Sequence, residues 1–114
     1  MSLLSDLNSQ LDALGIPAAT GVYSGQAPDE YVVVTPLGDT FGIHADNYPQ
    51  YEVQEARVSL FSKNNYQQRK NQIVRALLDS GYTVTDRRYV GHEDGTGYHH
   101  YAIDVAKYYK IQED

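Results

Sequence analysis

The 114-residue chain contains no cysteine and no tryptophan, and it has no lysine or arginine before Arg57. Without cysteine it has no disulfides, no thiol nucleophile and no thiolate metal ligand. No apolar run approaches the roughly 18 residues of a membrane span. The first six residues carry no basic segment, so the sequence predicts neither a membrane helix nor a secretory signal. The length suits one core, and residues 1–114 are predicted to form a single domain.

The charge is acidic and unevenly distributed. Fifteen acidic and nine basic side chains give a net charge of −6. Residues 1–56 hold eight acids and no base, whereas residues 57–114 hold nine bases and seven acids. Oppositely charged faces favour ordered self-association, although acids that merely cluster in loops would give the same count. No basic stripe is present, so the sequence predicts no specific binding of nucleic acid.

Two segments have the periodicity of amphipathic helices. Residues 2–14 place five leucines on one face, and Gly15 and Pro17 end the segment. Residues 66–80 form the clearer helix, with Asn65 as N-cap and Gly81 at its C-terminal end. The first helix is too short to be stable alone, so its leucines must pack on the protein's own sheet or on a neighbouring subunit.

Five segments are predicted as strands. Residues 31–35, between two prolines, read as a central strand, and residues 40–45 as a short partner before a turn at 46–49. Residues 51–62, 82–90 and 98–110 alternate in polarity, and the last two form a hairpin around the glycine-rich residues 91–97. A further short strand is expected at Val22–Tyr23, within the loop of residues 16–30.

These elements predict an α+β domain of order α-β-β-β-α-β-β. The predicted sheet is mixed or antiparallel, with the N-terminal helix and the longer helix packed on it. In residues 51–62 the even-numbered side chains from Gln54 to Leu60 are assigned to one face and the odd-numbered ones to the other.

No catalytic, cofactor or metal site is predicted. His99 and His100 are adjacent on a strand and face opposite sides, which leaves His92 and His99 as at most a pair of metal ligands. Residues 21–25 lack the spacing of a nucleophile elbow. Residues 91–97 lack a phosphate-binding signature. The acidic pairs Asp29–Glu30 and Glu93–Asp94 are expected to be solvated.

Tyrosine is the unusual abundance, with 11 copies beside two phenylalanines. Four of them lie in the final predicted strand. Tyrosine combines an apolar ring with a polar hydroxyl and is enriched at protein interfaces. We expect about half of the tyrosines to pack in the core and the others to contact another protein.

Three blocks of the sequence resemble one family over most of the chain. They are GIPAATGVYSGQAPDEYVVV (15–34), YEVQEARVSLFSKNNYQQRKNQIVRALLDSGYTV (51–84) and GHEDGTGYHHYAIDVAKYYK (91–110). The chain is similar to the tail-completion proteins of long-tailed phages and prophages, also called tail-terminator or head–tail joining proteins. The second block is the most telling, since it follows the family's order of strand, polar turn, helix and glycine-aromatic pair.

The resemblance implies a structural virion protein and no enzyme. It implies a homo-oligomeric ring, typically a hexamer, that caps the tail tube and joins it to the head–tail connector protein. It implies assembly in the bacterial cytoplasm and a final location in the phage tail, with no membrane, metal or cofactor. The alternatives are another head-completion or minor capsid adaptor, a DNA-mimicking inhibitor, and a hydrolase that uses His92, His99 or His100.

Overall fold

A computed structural model describes residues 2–41, 44–45, 48–49 and 51–111. Two helices and seven strands follow one another along this part of the chain. In chain order they are α1 (Leu3–Ala13), β1 (Ala18–Thr20), β2 (Glu30–Phe41), β3 (His44–Ala45), β4 (Tyr48–Pro49), β5 (Tyr51–Ser62), α2 (Tyr66–Asp79), β6 (Thr83–His92) and β7 (His99–Lys110).

Five of the strands form one mixed sheet in the order β1-β2-β5-β7-β6. β1 runs parallel to β2, and the other neighbours are antiparallel. The two-residue strands β3 and β4 pair with each other in a separate two-stranded sheet. Both helices lie against this sheet, which confirms the predicted α+β class and its element order.

Local sequence explains where the helices begin and end. The Ser2 hydroxyl accepts a hydrogen bond from the Ser5 N–H, and the Asn65 side chain accepts one from the Gln68 N–H, so each helix has an N-cap. Gly15 and Gly81 follow the two helices at φ 73° and 86°. Both values lie in the left-handed region, which glycine adopts without a steric penalty.

The core lies between the helices and one face of the sheet. α1 contributes Leu3, Leu7 and Leu11, which are almost completely buried, so this helix packs on its own sheet and not on a neighbouring subunit. The remaining core residues come from the three central strands, from α2 and from the residues that follow the two helices. They are Ile16, Val32, Val34, Ala56, Val58, Leu60, Ile73, Val74, Leu77, Tyr82, Ile103 and Val105.

The predicted strand at Val22–Tyr23 is wrong. The strand in this region is β1, four residues earlier, and it pairs Ala18 with Val32 and Thr20 with Val34. The N–H of Gly21 still donates to Val34, but the next residue turns away with a bond from the Val22 N–H to the Thr20 carbonyl. The position of β1 in the sequence is therefore decided by its pairing with β2, which is distant in the chain.

β2 continues well beyond the predicted end at Thr35. Val32 and Val34 direct their backbone groups toward the β1 side, where they bond Pro17 and Gly21. Pro36 is an even-numbered residue of β2, like Val32 and Val34, so its backbone nitrogen also faces the β1 side. β1 ends before this position. The missing N–H of Pro36 therefore lies on a free strand edge, where no donor is required. A register shift between Pro36 and Gly38 then carries the strand on to Phe41.

This extension makes the molecule elongated. Residues 36–41 of β2, 51–55 of β5 and 107–110 of β7 form a three-stranded arm. The principal extents are 54 × 25 × 23 Å and the radius of gyration is 15.4 Å, against about 13 Å for a compact domain of this length. Of the predicted partner strand at 40–45, Thr40 and Phe41 belong to β2 and His44–Ala45 is β3, while Gly42 and Ile43 lie outside the described residues. Of the predicted turn, Asp46 and Asn47 lie outside the described residues, and Tyr48–Pro49 is β4.

Candidate interaction surfaces

Both α1 and α2 pack on one face of the sheet, and we call the second face the open face. Strand register places the alternate side chains of β2, β5 and β7 there. On β5 these are the odd-numbered side chains, as predicted from the sequence. An antiparallel sheet tolerates one face without a covering layer when that face carries polar and amphipathic groups.

An aromatic cluster occupies one end of the open face. Tyr31 stacks on Phe61 with ring centroids 5.0 Å apart, and the edge of Tyr98 meets Tyr31 at 5.4 Å. The Tyr98 hydroxyl donates a 2.6 Å hydrogen bond to the carbonyl of Pro28 and thereby fastens the loop of residues 21–29 over the cluster. Burial raises the pKa of Tyr31, with smaller effects of Tyr98 and Glu93 in the same direction.

His100 belongs to this aromatic cluster. Its ring stacks on Phe61 at a centroid distance of 4.3 Å. Burial lowers the pKa of His100, and Arg57 and Arg88 act in the same direction while Glu93 opposes them. The imidazole is therefore held in its neutral form and serves as a packing ring.

Charged groups occupy the centre of the open face. Arg57 Nε donates to Asp104 Oδ1 at 2.8 Å and Arg57 Nη2 donates to Oδ2 at 3.1 Å, which is a bidentate pair. The hydrogen bond to Asp104 raises the pKa of Arg57. Arg88 joins the pair to Asp86, so the three neighbouring strands β5, β7 and β6 share one ionic network.

The far end of the open face lies on the arm and is exposed. Tyr108 stands opposite Val53, and Tyr51 stands opposite Lys110. Tyr108 is 63% exposed and Tyr51 is 38% exposed. This end of the sheet therefore presents two tyrosine rings to solvent.

The C-terminal hairpin brings His92 and His99 together, as the sequence predicts, and places His100 on the opposite face. The two rings are 4.6 Å apart. His92 Nδ1 lies 3.1 Å from Asp94 Oδ1, and His99 Nδ1 lies 2.9 Å from the Tyr89 hydroxyl. No three potential metal ligands converge anywhere in the described part of the chain.

The other chemical candidates fall in turns. Gly21 and Gly25 adopt positive φ in an exposed loop. The segment at 91–97 closes the hairpin, with the Glu93 N–H bonded to the Tyr98 carbonyl and the Gly97 N–H bonded to the Glu93 carbonyl. Asp94 is fully exposed.

One acidic residue was placed wrongly from the sequence. Glu30 was expected to be solvated, but it accepts hydrogen bonds from Arg69 at 2.5 Å and from the buried Ser62 hydroxyl at 2.9 Å. The group links β2, the end of β5 and α2. The polar residues Ser62 and Arg69 are far from Glu30 in sequence, so no local pattern signals their contact.

A second polar contact fastens α1 to the last strand. The Tyr109 hydroxyl donates to Asp6 Oδ2 at 2.5 Å. Burial and this bond raise the pKa of Tyr109 well above its usual range. Nearby, burial raises the pKa of Tyr82 to about 12. Among the described residues nothing forms a hydrogen bond with the Tyr82 hydroxyl.

Comparison with known proteins bears on the fold alone. The chain matches no protein-family model and no curated protein. Fourteen solved chains match it. One of them is 16% identical, with a TM-score of 0.53 and 99% of each chain covered, and its name states no function. Among the described residues, no helix has the length and apolar character needed to cross a membrane.

Proposed function

We propose that this protein is a structural component of a phage tail that caps the tail tube and mediates head–tail joining as a homo-oligomeric ring. Its partners in this proposal are further copies of itself, the tail tube protein and the head–tail connector. It is assembled in the bacterial cytoplasm and remains in the virion. The role requires no catalysis, no cofactor and no membrane.

The open face of the sheet and its continuation into the arm carry the proposal. The exposed tyrosines at the end of the arm add little to the stability of a lone domain, because their rings bury apolar surface only when a partner covers them. Tyrosine is also among the residues enriched in the buried centres of protein interfaces. A surface with these properties suits a subunit that is one copy in an assembly.

The sequence resemblance supports the same role. Residues 51–84 fold as β5, a polar turn, α2 and the Gly81–Tyr82 pair before β6, which is the order found in the tail-completion family. The net charge of −6 also suits a ring around DNA, because a like-charged lumen lets the genome slide without sticking.

The proposal is tested on the purified full chain and on phage particles. Light scattering over a range of concentrations, together with electron microscopy, is expected to show rings, either alone or after addition of tail tubes. A phage or prophage from which the gene is deleted is expected to produce tails of irregular length that fail to join heads.

Each alternative has its own readout. A chain that stays monomeric with tail tubes present, and whose deletion leaves tails normal, overturns the proposal. Normal tails with unstable, leaking heads would indicate a head-completion adaptor instead. Hydrolysis that is lost in His99→Ala, or competition with DNA for a nuclease, would replace it with an enzymatic or inhibitory role.

A further inference from the structure

The two edges of the sheet carry opposite charge. β1 and β2 lie at one edge with α1 beside them, and β6 lies at the other edge with α2 beside it. Residues 2–41, which form the first group, contain five acids and no base. Residues 66–92, which form the second group, contain five bases and two acids. We name these surfaces the acidic edge and the basic edge.

Internal ion pairs neutralise only part of this asymmetry. At the acidic edge, Glu30 is bonded to Arg69 and Asp29 lies 3.9 Å from Lys63. At the basic edge, Arg88 is bonded to Asp86. Asp12 on α1 and Arg87 on β6 are both exposed, and no ion pair within the described ranges includes either of them. Each edge thus keeps a charge available to an external partner.

The basic edge has the composition of an interface centre. Beside Arg87, Tyr89 is 44% exposed and Val90 is 51% exposed. Arginine and aromatic residues are enriched in protein interfaces and dominate their binding energy. Arg87 and Tyr89 are residues of these two kinds, and Val90 adds exposed apolar surface beside them.

The acidic edge offers a recess. A groove of about 730 Å³ lies between α1 and β1. Asp12 stands in its wall, together with Asn8, Pro17 and Thr20. The recess carries negative charge, and the side chains of the basic edge project from their strand, so the two surfaces differ in shape as well as in charge.

The structure of β6 favours a contact made by side chains over one that extends the sheet. β6 has register shifts between Val84 and Asp86 and between Tyr89 and Gly91. Bulges and charges on an edge strand prevent another strand from pairing with it. The backbone of β6 is therefore a poor template, and its side chains remain to make the contact.

From this charge complementarity we infer that the partner of each edge is a second copy of this chain, with the basic edge of one copy seated against the acidic edge of the next. Two different surfaces in contact make a head-to-tail interface, which closes into a ring when the rotation between copies permits. The inference rests on the proposed function and specifies which surfaces would join the subunits of the ring.

The test reverses one charge at each edge in the full chain. Asp12→Lys and Arg87→Glu are each expected to weaken self-association about tenfold or more, because every contact then joins like charges. Equimolar mixing of the two variants is expected to restore assembly, since every contact in the mixture again joins opposite charges. The double variant is also expected to assemble, because the charges at its two edges are both reversed and are again opposite. Light scattering and sedimentation velocity at low and high salt provide the readout.

Matched controls separate charge from folding. Asp94→Lys makes the same charge change in the hairpin loop, away from the acidic edge, and is expected to leave assembly unchanged. Circular dichroism melts verify that every variant is folded. A contact that pairs each edge with itself joins like charges in the wild type and in both single variants, so neither reversal would weaken assembly, and that result would overturn the head-to-tail arrangement.

The two proposals fail differently. If the wild-type protein forms rings that neither reversal nor salt weakens, the assignment of the edges is wrong and the ring proposal stands. If the wild-type protein never self-associates, even with tail tubes present, the proposed function fails, and the head-to-tail contact fails with it.

Discussion

The hydroxyl of Tyr109 donates a 2.5 Å hydrogen bond to the carboxylate of Asp6, 103 positions earlier in the chain. The bond ties the last strand to the first helix, whose isolated stability would be marginal. Tyr82, close to the same place, keeps its hydroxyl buried with no hydrogen-bond partner among the described residues. These two tyrosines form a natural pair for measuring what one hydroxyl contributes.

Removing each hydroxyl is expected to have different effects on stability. Tyr109→Phe should lower the free energy of unfolding by about 1–2 kcal/mol, because a hydrogen bond to a charged group is lost. Tyr82→Phe should be neutral or slightly stabilising, because it removes a polar group that forms no bond and is costly to bury. Urea denaturation at neutral pH measures both. An equal loss in the two variants would contradict the hydrogen bond to Asp6.

The same tyrosines predict a loss of stability in alkali. The folded protein raises the pKa of Tyr82 to about 12 and raises that of Tyr109 as well, whereas tyrosine in the unfolded chain ionises near pH 10. The stabilisation is therefore complete below about pH 10 and is lost as the pH rises toward the folded-state pKa. Unfolding measured from pH 9 to 12 should show this decline, with a smaller slope in Tyr82→Phe. Tyr108→Phe, an exposed control, should leave the slope unchanged.

The docking of α1 on its own sheet predicts a strong effect of its core leucines. Leu7 is completely buried, so Leu7→Ala should lower the free energy of unfolding by about 2–5 kcal/mol. Leu78 on α2 is 55% exposed, and Leu78→Ala should change the value by less than about 0.5 kcal/mol. Thermal melts at several protein concentrations provide the measurement. If the Leu7→Ala effect vanished on dilution, α1 would depend on a neighbouring subunit.

The ionic network on the open face contains two ion pairs that differ in exposure, so their contributions to stability can be compared. Arg57 and Asp104 form a bidentate pair in which the Asp104 side chain is only 13% exposed, so Asp104→Asn should cost about 1–2 kcal/mol. Asp86 and its partner Arg88 are about half exposed, so Asp86→Asn should cost less than about 0.5 kcal/mol. Denaturation at low and high salt should show that salt screens only the second pair strongly.

The lowered pKa of His100 predicts that the folded protein loses stability in weak acid. Burial lowers its pKa from 6.5 in the folded protein, so the unfolded chain takes up a proton first as the pH falls. The stabilisation is present above pH 6.5 and is lost as the pH falls toward the folded-state pKa. His100→Phe should keep the stacking on Phe61 and flatten the dependence between about pH 7 and 5. His92→Phe, at an exposed position, should not flatten it. Chemical denaturation with NMR titration of the imidazoles measures both.

Local patterns were sufficient for much of the fold. The leucine stripe of α1, the N-cap Asn65, the αL residue Gly81 and the alternation of β5 were all predicted and confirmed. Each depends on residues within a few positions of one another, where periodicity and capping act directly. The facing pair of His92 and His99 was also predicted, since a hairpin brings its own ends together.

The errors fall where distant segments decide. The position of β1 depends on pairing with β2, and the extension of β2 past Pro36 depends on that edge being free. Glu30 is bonded because α2 brings Arg69 to it.

The sequence by itself determined the element types, their order, the side-chain faces of the long strands and the separation of charge between the two halves of the chain. Beyond the predicted C-terminal hairpin, only the tertiary structure decided which strands are neighbours, which tyrosines pack and which remain exposed, and that the charge separation becomes two opposite edges of one sheet. The physical reason is the distance along the chain over which each interaction acts. Backbone propensity and side-chain periodicity act within a few residues, whereas strand order and burial are set by the free energy of packing segments that are far apart in the chain.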